Sequence, residues 1–444
     1  MGDFLIDDQT NVDLQLYAES AQEFTIYACF DHTTTTGGKQ RLKAWFRHPT
    51  TDLSILQRRS DGIRFFTDAI GNLCFEKEPI DFIEFYLSSH DRPKRYSFFY
   101  AVKKVVKYQY AKQQERYNKQ RGISEILTTL VFLKNFCLKI KKEHQHEFID
   151  ELYEDIEYIF KDPVIHKCVQ AGQFKQKGLR LERCDFLIRK TYIQKIRKIL
   201  SLVYDLDAFF SVALTAQKLN LCFPEYTTCS DQKLELEGVF HPFLNEAVPN
   251  NFSLGGSQHL CFLTGVNMSG KSTLMKSVAI AVYLAHVGFP VPAKKMVTGM
   301  FNGLLTTINL GDDLKSGSSH FYNEVLRLKY VAQQITTHRK LLIIFDELFR
   351  GTNVKDAYES SLLVIEAFSK IPTSFFIVSS HLVEVAQDLS KTLAINYQCF
   401  ETTFRHDRPI FNYQLKKGVT TARIGAWIIA NEGIVKVLNQ AAIT

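Results

Sequence analysis

The residues with the clearest chemical spacing are Gly265, Gly270, Lys271 and Ser272, in the stretch TGVNMSGKST at 264–273. Gly-x-x-x-x-Gly-Lys-Ser is the spacing of a phosphate-binding loop. The glycines let the backbone wrap tightly, so that successive N–H groups turn toward phosphate oxygens. A helix opening at Ser272 presents its positive end to the same charge. Lys271 then reaches the β- and γ-phosphates, and Ser272 coordinates Mg²⁺.

Three more clusters carry chemistry. The apolar run KLLIIFDE at 340–347 ends in Asp346 and Glu347. Beside a phosphate loop, Asp346 suits a direct or water-mediated Mg²⁺ contact, and Glu347 suits polarising an attacking water. The run TSFFIVSSH at 373–381 ends in His381, which suits a hydrogen bond to a terminal phosphate. Taken alone, a single histidine at a strand end is more often structural. The stretch NLGDDLKSGSSHFYNEV at 309–325 holds Gly317 and Ser319 just before a helical pattern. It reads either as a plain helix cap or as a second anion-ready helix start.

These clusters follow short apolar strands, HLCFLTG at 259–265 among them, and helical segments separate the strands. That alternation predicts a mainly parallel α/β sheet with ligands at the carboxyl ends of its strands. Upstream of about residue 223 the texture differs, with long helical segments and few glycines. Residues 33–68 predict a loop, a helix, a turn at His48-Pro49, and a second helix capped by Thr51 or Asp52. Further helices are expected over 125–142, 147–160 and 190–221, the last from Ile193, Ile196, Leu200, Val203, Leu206, Phe210 and Leu214 at helical spacing. The expected organisation is multidomain: an all-α helical domain over 1–222, then an α/β P-loop domain over 223–444.

The bulk numbers fit a chain of this kind. At 444 residues, two or three domains are expected. Hydrophobic residues at 45% and charged residues at 23% are ordinary for a globular protein. The nine cysteines form no Cys-x-x-Cys pair, which argues against a zinc knuckle or a disulfide framework. The acidic start lacks a signal-peptide core, and the uncharged run 277–293 is broken by a histidine, a glycine and prolines. A cytoplasmic protein without a membrane span is expected.

Net charge is a mild +7. It concentrates at 92–142, where 14 Lys+Arg face two acids, Glu115 and Glu125. Two readings stay open. The stretch is a solvated helix surface, or it is a phosphate-facing stripe that includes Lys103, Lys104 and Lys107.

Taken together, the motifs resemble the nucleotide-binding domain of the MutS family of DNA mismatch repair ATPases, within the wider ABC ATPase class. The family's loop, approximately TGPNMGGKST, stands here as TGVNMSGKST. Its DEIGRGT stands as DELFRGT (346–352), its DDLASGRSTF as DDLKSGSSHF (312–321), and its THYFEL as SHLVEV (380–385). A His241-Pro242 pair precedes the loop. Upstream, GGKQRLKAWFRHP (37–49) is similar to the start of the family's helical, lever-type core.

The resemblance implies ATP and Mg²⁺ as cofactors and ATP hydrolysis as the activity. It implies that Gly265, Val266, Asn267, Met268, Ser269, Gly270, Lys271, Ser272 and Thr273 hold the nucleotide. Ser272 and Asp346 then hold the metal, and Glu347, Lys271 and His381 act in catalysis. Gly317 and Ser319 stand where the family's signature reaches across a dimer to a partner's nucleotide, which implies a dimer, DNA as a ligand, and repair-protein partners. Val266, Ser269 and Phe349 depart from the family's Pro, Gly and Gly. Val248 falls near the expected adenine-stacking aromatic, so the base contact is unassigned.

Only about thirty residues separate Phe160 from Lys190, so the family's DNA-gripping clamp is expected to be absent or minimal. Phe82-Ile83-Glu84 matches the three letters of the mismatch-reading wedge but lies in a core helical segment, where coincidence is the better reading. A MutS-like ATPase lacking its own mismatch reader is therefore one expectation. An ATP-dependent dimerisation switch acting on protein partners, or on branched DNA, is the other.

Overall fold

The structure is a computed structural model. It describes residues 4–17, 24–68, 75–89, 113–142, 146–170, 176–227, 232–308, 320–405, 408–420 and 425–441. The chain divides into two compact units. One comprises residues 30–47 and 61–214, the other residues 1–29, 48–60 and 215–444. The units therefore do not follow a single break near 222, because two N-terminal stretches fall with the C-terminal half.

The first unit is helical in all its described elements. They include Thr36–Arg47, Lys77–Ser88, Gln113–Lys141, Glu147–Phe160, Pro163–Gln170, Gly178–Phe186 and Ile193–Leu219. The last carries buried Ile196, Val203 and Leu206, as its helical spacing requires. It is the one described helix long and apolar enough to cross a membrane, and 72% of its most apolar window is buried inside the fold. Asp207 on this helix accepts from the backbone N–H groups of Thr34 and Thr35, at 3.1 and 2.8 Å, at the entry to Thr36–Arg47.

Phe82, Ile83 and Glu84 lie in the helix Lys77–Ser88, where Ile83 is buried and Glu84 accepts from the Tyr204 hydroxyl. Of the three, only Ile83 is buried; Phe82 is half-buried and Glu84 is exposed. The described part of the basic stretch forms the helix Gln113–Lys141, and much of its charge is answered within the fold. Lys119 is buried among Glu115, Glu182 and Asp185, Arg121 meets Glu78, Lys134 meets Glu157, and Lys141 meets Asp150.

Among its described residues the second unit holds ten strands: β1 (Glu225–Tyr226), β2 (Lys233–Val239), β3 (Asn250–Gly255), β4 (Leu260–Thr264), β5 (Lys295–Thr298), β6 (Gly303–Thr307), β7 (Leu341–Asp346), β8 (Phe375–Ser379), β9 (Ile395–Arg405) and β10 (Arg408–Lys417). Four make a small sheet in the order β1-β5-β2-β3, and six make the main sheet in the order β10-β9-β4-β8-β7-β6. All neighbours in the main sheet are parallel except β9 and β10. β4, β7 and β8 are buried at every position, so they read as unbroken apolar runs.

The main sheet's core gathers Phe262, Ile343, Phe345, Phe376 and Val378 with Val331, Ile365 and Phe368 from the helices His320–Thr337 and Val354–Ser369. The helix Lys271–Val287 packs on β2, β6 and β7 and is buried along most of its length. Residues 4–17 brace β6. Leu5 pairs in parallel with Gly303, and Asp13 accepts from Thr306 Oγ1 and the Ile308 N–H at 2.7 and 2.9 Å.

Candidate nucleotide-binding and catalytic site

Strand order decides what can meet at the sheet's carboxyl edge. β4 sits beside β8, and β8 beside β7, all parallel, so the loops leaving these strands share one edge. The loop 265–270 leaves β4 there, Glu347 follows β7, and Ser380-His381 follow β8.

The loop enters the helix Lys271–Val287 through Gly270, whose φ is 106° and which offers no capping side chain. The helix's first N–H groups are thus not taken by a side-chain cap, which suits an anion. At Gly265 a Cβ would come within 2.6 Å of Ser269 Oγ, so a side chain there would displace the Ser269 hydroxyl from the loop. Met268 takes the left-handed φ of 68° and is exposed. Lys271 is buried, and its Nζ donates to the carbonyls of Gly265 at 2.8 Å and Val266 at 3.3 Å. Burial holds the Lys271 ammonium below the usual lysine range, against the pull of Glu347 and Asp346.

Asp346 has both oxygens engaged. Ser272 Oγ donates to Oδ2, and Ser379 Oγ donates to Oδ1 at 2.5 Å. Glu347 turns out of β7 with a left-handed φ of 60°. Its Oε1 lies 2.5 Å from His381 Nε2 and 4.0 Å from Lys271 Nζ, and its Oε2 lies 2.6 Å from Arg350 Nε. Burial raises the Glu347 carboxyl, but the hydrogen bond and charge of His381, with Arg350 and Lys271, outweigh it and hold it below the usual carboxylate range.

Lys271, Ser272, Glu347 and Arg350 border a cavity of about 540 Å³, within the range of small-molecule sites. Residues 266–274, Glu347 and Arg350 line one part, and His241, Leu244, Val248, Phe400 and Tyr413 line another. Burial and the nearby Lys276 push the His241 imidazole down to about 4, so it is neutral at ordinary pH.

The fold thus brings 265–273, Asp346, Glu347 and His381 together. Gly317, Ser319, Lys103, Lys104 and Lys107 lie outside the described residues. Sequence reasoning passed over Ser379, Arg350, Phe400 and Tyr413. Only Arg350 had a local signal, its place in DELFRGT.

Comparison with known families resolves what kind of sheet this is. The family model for MutS domain III matches residues 9–213, and that for MutS domain V matches residues 261–443. The chain belongs to the MutS family. The domain III match falls on the helical part, and the domain V match runs from β4 through the phosphate loop, the acidic strand and the β9–β10 hairpin.

Among MutS relatives, the DNA mismatch repair protein MutS of Staphylococcus haemolyticus is 37% identical over 205 residues, 44% of this chain and 22% of that protein. The same-named protein of Staphylococcus saprophyticus is 34% identical over 211 residues, 46% of this chain and 23% of that protein. That of Staphylococcus aureus strain JH9 is 35% identical over 204 residues, again 44% and 23%. These alignments span less than a quarter of each relative.

Against the MutS pattern, Phe349 is the instructive departure. It occupies a position where the family carries glycine, and its φ is 63°. Its ring is buried and packs on Phe321 at 5.7 Å, so packing offsets a conformation that costs roughly 1–2 kcal/mol for a residue with a Cβ.

Proposed function

We propose that this chain binds ATP with Mg²⁺ and hydrolyses it, as a MutS-type all-α core followed by an ABC-type P-loop ATPase domain. We place the core, with little or no clamp, within 1–222 and the ATPase domain in 223–444, with residues 1–29 and 48–60 packed in the ATPase unit. The observation that carries the reading is a connected cluster: Lys271, Ser272 and Glu347 line one cavity, Ser272 donates to Asp346 behind it, and His381 meets Glu347.

The residues fit the cofactors. Ser272 Oγ and the Asp346 carboxylate are hard oxygen donors of the kind Mg²⁺ takes. Residues 265–273 and the N-terminal end of the helix suit a polyphosphate. When bound, ATP supplies the transferable γ-phosphoryl group and Mg²⁺ offsets its charge. The chain's own part is orientation and proton handling. Lys271 Nζ exchanges its loop carbonyls for phosphate oxygens. Glu347, held ionised, takes a proton from the attacking water, while His381 Nε2 and Arg350 Nε hold its two oxygens. Tyr413, Phe400 and His241 border the base end.

Gly317 and Ser319 of one copy complete the nucleotide site of a second, making the working form a homodimer in the cytoplasm. DNA is the ligand of the core, gripped through its backbone by Lys103, Lys104 and Lys107, with repair proteins as partners. A second reading is an ATP-driven dimerisation switch acting on proteins. The pairing of Lys119, Arg121, Lys134 and Lys141 with acids of the same fold favours it, since those charges are already answered.

One experiment addresses both readings. Wild type and Lys271→Ala are assayed for Mg²⁺-dependent ATP hydrolysis and for binding to duplex, mismatched, branched and single-stranded DNA at two salt concentrations. Hydrolysis lost in Lys271→Ala supports the ATPase. DNA affinity that falls with salt supports backbone contact. No affinity for any DNA at low salt overturns the DNA reading and leaves the protein switch.

A further inference from the structure

Ser379 is the last residue of β8 and stands directly opposite Asp346 in the parallel β7–β8 ladder. It is fully buried. Its hydroxyl has two partners, and both belong to the site. Oγ donates to Asp346 Oδ1 at 2.5 Å and accepts the Glu347 N–H at 3.1 Å. One side chain therefore ties the carboxylate proposed for the metal to the backbone of the residue proposed as the base.

Two consequences follow from that geometry. With Oδ1 held by Ser379, Asp346 presents Oδ2 to Ser272 and cannot turn its carboxylate freely. The Glu347 peptide is pinned where the backbone is least free to choose, since φ at Glu347 is 60°. A left-handed conformation in a residue with a Cβ persists only where its surroundings hold it. Partners of this kind, one bond removed from a metal ligand, set its orientation and its affinity.

We propose that Ser379 is a positioning residue for nucleotide hydrolysis, selecting the Asp346 oxygen that faces Mg²⁺ and fixing the backbone from which Glu347 reaches the site. This rests on the ATPase reading above. The proposed role does not require Ser379 to touch nucleotide, and its effect is transmitted through Asp346 and Glu347.

The fold supplies a matched control. Ser374, also fully buried, precedes β8 at the far end of the strand and accepts the Leu341 N–H at 3.2 Å. Ser374→Ala removes a comparable hydrogen bond away from the phosphate loop.

The test compares wild type, Ser379→Ala and Ser374→Ala. The affinity for a fluorescent ADP is measured with Mg²⁺ and with EDTA, and kcat and KM for ATP are measured alongside, with melting temperature as the folding check. In Ser379→Ala the Mg²⁺-to-EDTA affinity ratio is expected to fall roughly 10-fold and kcat to fall by a similar factor. EDTA affinity stays within about 3-fold, because the phosphate loop is untouched, and KM for Mg·ATP rises along with the lost Mg²⁺-dependent affinity. Ser374→Ala keeps the wild-type ratio and kcat. The proposal is overturned if Ser379→Ala keeps the wild-type ratio, or if both variants lose it equally. If wild type shows neither a Mg²⁺ preference nor hydrolysis, the ATPase reading itself falls, which is a distinct result.

Discussion

Glu347 and His381 meet at 2.5 Å, Oε1 to Nε2, at the ends of strands that β-sheet order makes neighbours. The contact helps hold Glu347 ionised, and ionisation is what a proton acceptor needs. Burial works the other way and would favour the neutral acid. The balance makes His381 a partner of Glu347 in addition to any contact it makes with phosphate.

Glu347→Gln is therefore expected to reduce ATP turnover by roughly 100-fold or more while nucleotide affinity changes little. His381→Ala is expected to cost less, and the double variant to be no slower than Glu347→Gln alone. A coupling of that kind marks residues acting as a unit. Because the Glu347 carboxyl is depressed, its contribution is present above the ordinary carboxylate range and is lost as pH falls through the lowered value. The acid limb of kcat should therefore move up in pH when His381 is replaced. Single-turnover rates over a pH series check both points, and strictly additive losses would count against the pairing.

Lys271 poses a different question, because its ammonium is already satisfied by the carbonyls of Gly265 and Val266. Burying that charge is itself costly, as its depressed proton affinity reflects. Lys271→Ala should leave the melting temperature of the free protein nearly unchanged and remove most of the rise produced by saturating Mg·ADP. A lost charge-assisted hydrogen bond is worth roughly 1.5–3 kcal/mol, enough to weaken nucleotide binding by at least about tenfold. Thermal melts with and without Mg·ADP give the answer, and an undiminished ligand-induced rise would be the contrary result.

The end of the cavity proposed for the base can be tested apart from the end proposed for the phosphates. Tyr413 sits at an irregularity in β10, with φ 51°, and its ring stacks on Phe411 at 6.1 Å. Asn250 Nδ2 donates to its carbonyl at 2.9 Å, fixing the strand against β3. Tyr413→Ala is expected to weaken ATP binding roughly 10-fold, from lost stacking on the base. Inorganic triphosphate, which has no base, should bind both forms alike. Competition against a fluorescent nucleotide measures each ligand, and equal losses for both would move Tyr413 out of the base site.

What could be read in the chain followed from whether its parts were local. The phosphate loop is one continuous stretch, and Asp346, Glu347 and His381 announce themselves as polar residues ending apolar strands. Asp52 accepts from the Ser54 N–H at 2.9 Å, one of the two cap residues expected there. Ser379 carried no such signal, since a serine at the end of an apolar strand acquires meaning only from the register that sets it opposite Asp346. Tyr413 and Phe400 were hidden for a similar reason, because β9 must cross to the far side of β4 before either reaches the loop. The grouping of residues 1–29 with the sheet was equally non-local, resting on Leu5 beside Gly303 and Asp13 beside Thr306.

Acid sensitivity should come from a residue remote from the chemistry. His286 is fully buried near the end of the helix Lys271–Val287, with Nδ1 2.9 Å from the Val282 carbonyl and Nε2 accepting the Phe301 N–H at 3.0 Å. Those partners require the neutral ring with its proton on Nδ1. Burial pushes its pKa down to about 4, from an ordinary value of 6.5. The unfolded chain therefore binds a proton below 6.5 that the folded chain refuses until about 4. Stability is complete above 6.5 and is lost as pH falls through that window, by up to ~3 kcal/mol. His286→Gln removes the titration. Its stability should be lower than wild type at pH 7.5, where the two ring hydrogen bonds are intact, and the gap should narrow toward pH 4.5. Urea unfolding of both forms across that range measures the gap, and parallel pH profiles would assign the acid loss to other groups.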